Sequence, residues 1–122
     1  MQDYHNLKVW HAAHELAVRM HSLTAQIPRM NNAEIVSQVR RAALSIPANI
    51  AEGCGRSSDR DFAKFLQIAF ASANELEYHL EYILETGLVR IARTEFEERR
   101  AEIIQVRRML TGLLRKIRST GQ

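Results

Sequence analysis

A row of polar side chains at helical spacing is the part of this sequence best placed to do chemistry. It consists of Gln38, Arg41, Ser45, Asn49 and Glu52, which are separated by three or four residues and therefore share one helix face. Gathered in a pocket, ionisable groups of this kind could transfer protons. Packed between two helices, they would instead form a hydrogen-bonded layer.

A second polar row, made of Ser72, Glu75 and His79 on the following helix, supplies possible partners. We expect Arg41 to pair with Glu75 and the layer to fix helix register or a subunit contact rather than to catalyse a reaction. The residues predicted for this structural layer are Arg41, Ser45, Asn49, Glu52 and Glu75. A solvated face is the alternative, since polar rows commonly face water. No carboxylate pair is placed for acid–base chemistry, so an enzyme is the least favoured hypothesis. The only ionisable groups that could support catalysis are Arg41, Glu52, Glu75 and His79.

Basic residues near the C-terminus suggest a different activity, the binding of phosphate groups. Residues 90–122 hold nine Lys or Arg against four Asp or Glu, whereas residues 1–89 hold eight against ten. Clustered cations on one helix bind the phosphates of nucleic acids. The expected contacts are Arg107, Arg108, Arg115 and Lys116, with Arg40 and Arg56 as weaker candidates. The alternative is a solubilising face balanced by the acidic residues Glu77, Glu81 and Glu85 of the preceding helix.

Metal and cofactor chemistry is not indicated. The five histidines include no HExxH or Glu-x-x-His pair, and they have no cysteine at ligand spacing. The single cysteine, Cys54, lies between Gly53 and Gly55 in what the pattern predicts to be an accessible helix-ending turn with glycine in the left-handed conformation. A nucleophilic cysteine needs a base, and the sequence places none beside it. We therefore predict no metal and no cofactor.

Four amphipathic helices must position these side chains, at approximately residues 6–27, 32–53, 58–86 and 94–119. Ser57 and Ser58 offer a cap for the third helix, Gly87 ends it, and Thr94–Glu97 form a capping box for the fourth. Pro47 should kink the second helix. The predicted core positions are Val9, Ala13, Leu16, Met20, Leu23, Ile27, Val36, Val39, Ala43, Ile46, Ile50, Phe62, Leu66, Ala69, Ala73, Leu76, Leu80, Ile83, Phe96, Arg100, Ile103, Val106, Leu110, Leu113 and Ile117.

Short connections between these helices favour antiparallel neighbours, so we predict an all-α fold, an up-down-up-down four-helix bundle forming one domain over residues 1–122. The third helix also carries Phe65, Ile68 and Phe70 outside its core stripe, which predicts a subunit interface.

No apolar run is long enough to span a bilayer, and the N-terminus does not resemble a signal peptide. We expect a cytoplasmic protein.

One segment resembles a known family. Arg40–Gly53, with the sequence RRAALSIPANIAEG, and the following Arg56 are similar to the signature of the four-helix-bundle proteins encoded in 23S ribosomal RNA intervening sequences. Leu7–Trp10 resembles the opening of that family, Phe65–Ala69 its third helix, and Ser72–Glu77 the segment that follows. The resemblance covers most of the chain, although the fourth helix is similar to that of the family only in general character and not in a specific motif.

This resemblance implies a bacterial, cytosolic bundle without known enzymatic activity, assembled as a homopentamer. The accessory variability proteins of diversity-generating retroelements are similar in fold and bind nucleic acid and a reverse transcriptase through basic surfaces. Ala71 departs from the family pattern, which often has glycine there. The predicted function is thus a non-enzymatic, pentameric bundle that binds RNA or another nucleic acid. The alternative is a protein-interaction scaffold or a reverse-transcriptase accessory subunit without a direct nucleic-acid role, with a protein partner and no membrane.

Overall fold

Four long helices account for nearly all of residues 2–120, the part of the chain that the computed structural model describes. After a short 3-10 turn at Tyr4–Asn6, they are α1 (Lys8–Thr24), α2 (Ala33–Cys54), α3 (Asp59–Thr86) and α4 (Arg93–Thr120). No strand occurs within residues 2–120, and no helix there combines the length and apolarity needed to cross a membrane.

Neighbouring helices run antiparallel. Gly53 near the end of α2 lies against Phe62 near the start of α3, while Ser45 in the middle of α2 meets Ser72 further along α3. Within residues 2–120, each helix packs on its neighbours in the chain and α1 also packs on α4, whereas the backbones of the diagonal pairs lie further apart. The predicted all-α four-helix bundle is confirmed.

The core follows the predicted stripes with two exceptions, both in α4. Every predicted core position of the first three helices is buried. In α4, Leu114 is buried and Leu113 only partly so, because the step after Leu110 is four residues rather than three. Arg100 lies at the surface with its side chain 44% exposed, so it belongs to the charged rim of the core.

Three helix ends differ from prediction, two in α1 and one in α4. Helix α1 begins at Lys8 rather than residue 6, because Asp3 caps the preceding 3-10 turn by accepting a hydrogen bond from the His5 N–H at 3.0 Å. It also ends at Thr24, three residues before the predicted end. Helix α4 begins at Arg93, so the predicted capping box at Thr94–Glu97 lies inside the first turn instead of preceding it.

The predicted ends of α3 match the structure. The hydroxyl of Ser58 accepts a hydrogen bond from the Asp61 N–H at 3.1 Å, which satisfies one of the free donors of the first turn. Gly87 ends the helix with φ +67°, a conformation that glycine adopts without steric penalty.

Gly53 serves close packing, not the left-handed helix end that we predicted. It lies inside α2, which continues through the buried Pro47 to Cys54, and Gly55 follows with φ −82°. A β-carbon at Gly53 would come within 2.8 Å of Phe62 Cδ1 and 3.0 Å of Phe65 Cβ. Only glycine lets α2 and α3 approach this closely. Cys54 is buried, contrary to prediction, and burial raises the pKa of its thiol.

Candidate nucleic-acid interface

Part of the predicted polar layer forms between α2 and α3. The hydroxyls of Ser45 and Ser72 lie 2.8 Å apart, and Ser72 is buried. The side-chain amide of Asn49 donates to the Ser45 hydroxyl at 2.9 Å and to the Ser45 carbonyl at 2.8 Å. These bonds satisfy small polar groups in a largely apolar contact, so the three residues fix how the two helices meet.

The expected pair of Arg41 with Glu75 is absent from the part of the chain described. Both side chains are exposed, and Glu75 Oε2 instead lies 3.0 Å from Nε2 of the buried His79, one turn further along α3. Glu52 pairs with Arg56 at 2.7 Å. An intrahelical neighbour is always within reach, whereas a pair between exposed residues must compete with water.

The four ionisable side chains considered for catalysis, Arg41, Glu52, Glu75 and His79, are therefore not gathered in one place. Glu52 is held by Arg56, and the contact of His79 with Glu75 is confined to α3. Within residues 2–120, no three His, Cys, Asp or Glu side chains converge in a way that could hold a metal ion.

The first half of α4 is held to α3 by a shared carboxylate. Glu77 accepts a short hydrogen bond from Arg107 and a second hydrogen bond from Arg100 at 3.1 Å. Arg107 also donates to the Asn74 side chain at 2.8 Å. Burial opposes ionisation of Glu77, but the hydrogen bonds and charges of the two arginines outweigh it, so the pKa of this carboxyl lies below its usual value.

A second carboxylate, Glu102, holds the first half of α4 to α1. Its Oε2 accepts from Arg19 at 2.9 Å, and its Oε1 lies 2.8 Å from Nε of Arg99. Three of the four arginines of this half, Arg99, Arg100 and Arg107, are therefore used inside the subunit, which makes them poor candidates for phosphate contacts. Arg107, predicted as such a contact, is one of them.

Two more of the predicted phosphate contacts have partners within the subunit. Arg40 donates from Nε to the buried hydroxyl of Thr24 at 2.9 Å and from Nη2 to the His21 carbonyl at 3.4 Å, which ties α2 to α1. Arg56 pairs with Glu52 and lies over the Phe65 ring at 4.7 Å. Arg40 is only partly exposed, whereas Arg56 remains exposed and could exchange its partner.

The second half of α4 is different. Residues 108–120 carry four basic side chains and no acidic one. They are Arg108, Arg115, Lys116 and Arg118. All four are exposed, and none takes part in an ion pair within residues 2–120. We call these four residues the basic end of α4.

A cleft between α3 and α4 lies beside the basic end. One part, of about 480 Å³, runs from Arg60 and Lys64 of α3 to Arg118 of α4. A second part, of about 300 Å³, is lined by residues that include Arg115. Both parts share Gln67 and Arg118, so they are continuous.

The contribution of α3 to this cleft was missed in the sequence. Arg60 and Lys64 are four residues apart and so share a helix face, a signal that was available. Asp59 and Asp61 beside them hid it, because they cancel the local charge when charges are only counted along the chain.

Apolar side chains are exposed on other faces of the bundle. Ala17 and Val18 of α1 and Leu44 of α2 line a cleft of about 370 Å³, and Leu44 is 63% exposed. On α3, Ile68 and Tyr78 are exposed by 47% and 61%. Exposed apolar groups in such number are typical of a surface that another molecule covers.

These features define a class of protein: an antiparallel four-helix bundle with one basic end and exposed apolar faces. The family described as 23S rRNA-intervening sequence protein matches residues 5–112, and the chain belongs to this family. The resemblance seen in the sequence is thus confirmed.

A solved structure with the same fold is that of a protein with unknown function from the S23 ribosomal protein family of Bacteroides thetaiotaomicron VPI-5482. The two proteins are 30% identical and superimpose with a TM-score of 0.76, over 88% of this chain and 95% of that one. A comparison with curated proteins gives no match. Neither the family description nor that of the solved structure assigns an enzymatic reaction.

Proposed function

We propose that this protein is a non-enzymatic, homo-oligomeric bundle that binds RNA or another nucleic acid through the basic end of α4. The observation that carries the proposal is the absence of acidic partners for these cations within residues 2–120, in a chain where three of the four arginines in the other half of the same helix are paired. Unpaired cations on a rigid helix are available to phosphates without first breaking an internal contact.

We revise the proposed set of phosphate contacts according to which cations are paired within the subunit. Arg108, Arg115 and Lys116 stay in the proposal, because they are exposed and form no ion pair within residues 2–120. Arg56 remains a weaker candidate. Arg107 and Arg40 are assigned to internal contacts instead, and Arg118 joins the proposed set.

Oligomerisation belongs to the same proposal. The exposed Ile68 and Tyr78 on α3 support an interface between subunits, and the family resemblance sets the expected count at five. A ring of subunits would repeat the basic end around one axis, which raises the local positive potential and the attraction for a polyanion.

The test is a titration of a labelled RNA oligonucleotide with the wild-type protein at several salt concentrations. We expect affinity to fall steeply as salt rises. The double variant Arg115→Gln/Lys116→Gln should bind about tenfold more weakly at low salt, because two phosphate contacts are lost. Absence of any salt-dependent binding at low ionic strength would rule the function out. Native mass spectrometry before and after nuclease treatment counts the subunits and detects co-purified nucleic acid.

A second candidate function is that of a protein-interaction scaffold, including an accessory subunit of a reverse transcriptase. The apolar cleft between α1 and α2 favours it, because Val18 and Leu44 are exposed by 53% and 63% in a cleft that also offers His14, His21 and Arg40. This candidate predicts a protein that co-purifies after nuclease treatment and is lost in Leu44→Glu. RNA binding that survives Leu44→Glu unchanged would assign the cleft to a separate role.

A further inference from the structure

We infer that the cleft between α3 and α4 holds a single strand of nucleic acid, with its phosphates at Arg60 and Lys64 on one wall and at Arg115 and Arg118 on the other. This inference rests on the proposed function and adds to it a defined site, a contribution from a second helix and a preference for single strands.

The charge of the cleft favours the binding of phosphate groups there. Four cations face one another across it, and the lining residues include one acid, Asp59. Arg60, Arg115 and Arg118 have no ion pair within residues 2–120. Lys64 has only a long contact of 3.8 Å with Asp61, between two exposed side chains. Like charges placed on both walls repel one another unless an anion lies between them.

The rest of the lining suits a nucleotide rather than a simple ion. Gln67 stands where the two parts of the cleft meet and provides an amide that can both donate and accept hydrogen bonds. Phe70, Leu114 and Ile117 provide an apolar floor, in which Phe70 is only partly buried. Bases gain free energy by stacking on aromatic side chains, and apolar contact of this kind is independent of sequence.

The shape of the cleft selects a single strand. Residues 60–70 of α3 span about 15 Å at 1.5 Å per residue, which is room for a few nucleotides. Packed helices have axes about 8–10 Å apart, so the cleft is a narrow groove over their line of contact and a duplex could touch only its rims. A single strand can place its backbone between both walls.

The experiment measures binding of a fluorescein-labelled oligouridylate of twelve nucleotides by anisotropy, across a range of salt concentrations. The informative variant is Arg60→Gln/Lys64→Gln, which removes the α3 wall. The matched control is Arg29→Gln/Arg90→Gln, which changes the net charge equally at the opposite end of the bundle. All four side chains are exposed, so circular dichroism should show that both variants fold.

If the four cations of the cleft contact phosphate together with Arg108 and Lys116, log K should fall with log salt with a slope of about −4, since each contact to a single strand contributes about −0.7. The α3 variant should reduce this slope to about −2.8, because four contacts remain, while the control keeps the wild-type slope. A twelve-base-pair duplex should compete poorly for the labelled strand.

The outcomes that would contradict the proposed function, the cleft site and the strand preference differ from one another. No binding by the wild-type protein would overturn the proposed function and this inference together. Binding that is weakened by Arg115→Gln/Lys116→Gln but equal in the α3 variant and its control would leave the function standing and overturn the cleft. Competition by duplex as strong as that by single strand would overturn the strand preference.

Discussion

The two halves of α4 carry equal numbers of cations and use them in opposite ways. Residues 93–107 hold four arginines and four glutamates, and Glu77 of α3 adds a further acceptor. Residues 108–120 hold four cations and no acid. The first half thus joins α4 to its neighbours, whereas the second half leaves its charge available to an outside partner.

The difference shows that a basic helix is not by itself a binding surface. What decides is whether acids on the packed neighbours lie opposite the cations. Glu77 is 16% exposed and lies between two arginines, so most of its contact with water is replaced by protein hydrogen bonds. At the other end of α3 the charged side chains that line the cleft are Asp59, Arg60 and Lys64, which on balance add positive charge instead of neutralising it.

The largest effect is expected at the first half. Glu77→Ala should lower the free energy of unfolding by about 2–3 kcal/mol, because the partly buried Arg107 and the exposed Arg100 lose their shared acceptor. Urea denaturation at fixed protein concentration measures it, since oligomers unfold in a concentration-dependent way. The control is Glu85→Ala, an exposed acid on the same helix. Equal losses in the two variants would show that Glu77 has no special role.

The fold could be predicted from the sequence because apolar spacing determines which helix face is buried. Every position that the stripes predicted for the core of α1 to α3 is buried. In α4 the prediction failed at Leu113, where a four-residue step was read as three, and at Arg100, which lies at the surface. The family signature in α2 is likewise a run of consecutive residues. Such features depend on residues near one another in the chain.

The site could be predicted only in part, because pairing between helices depends on how they pack. Glu77 was among the acids considered to balance α4, but its register opposite Arg100 and Arg107 exists only after folding. The same applies to Arg40, whose partner Thr24 is buried in another helix. The expected Arg41–Glu75 pair failed for the converse reason: Glu75 has a partner in its own helix.

Adjacent arginines provide the sharpest comparison within α4. Arg107→Gln should cost about 1–2 kcal/mol of stability, because Glu77 and Asn74 lose a donor. Arg108→Gln should change stability by less than about 0.5 kcal/mol, as for an exposed residue without a partner. RNA affinity should show the reverse order. If Arg107→Gln weakened RNA binding more than Arg108→Gln while leaving stability intact, the division of the helix would lie elsewhere.

Acidification provides a smaller and reversible version of the same test. The pKa of Glu77 is lower in the folded than in the unfolded protein, so the folded state binds fewer protons at this site. Its contribution to stability is therefore complete above the usual value of 4.5 and is lost as pH falls through the folded pKa.

The measurement is the difference in unfolding free energy between wild type and Glu77→Gln from pH 7 downwards. Other groups titrate in both proteins and cancel in this difference. We expect the difference to shrink below pH 4.5. A difference that stays constant to low pH would mean that the charge of Glu77 contributes nothing beyond its shape.

The smallest effect on stability is expected where the effect on binding is largest. Arg115→Gln/Lys116→Gln removes two exposed cations near the C-terminus of α4. Both residues precede the last turn, where Arg118 lies, so their attraction to the negative end of the helix dipole is weak and is opposed by repulsion from the neighbouring cations. We therefore expect the unfolding free energy to change by less than about 0.5 kcal/mol in urea denaturation at low salt. A loss above about 1 kcal/mol would reveal a structural partner for these residues, whereas a null result together with weakened RNA binding would separate a surface kept for recognition from one kept for folding.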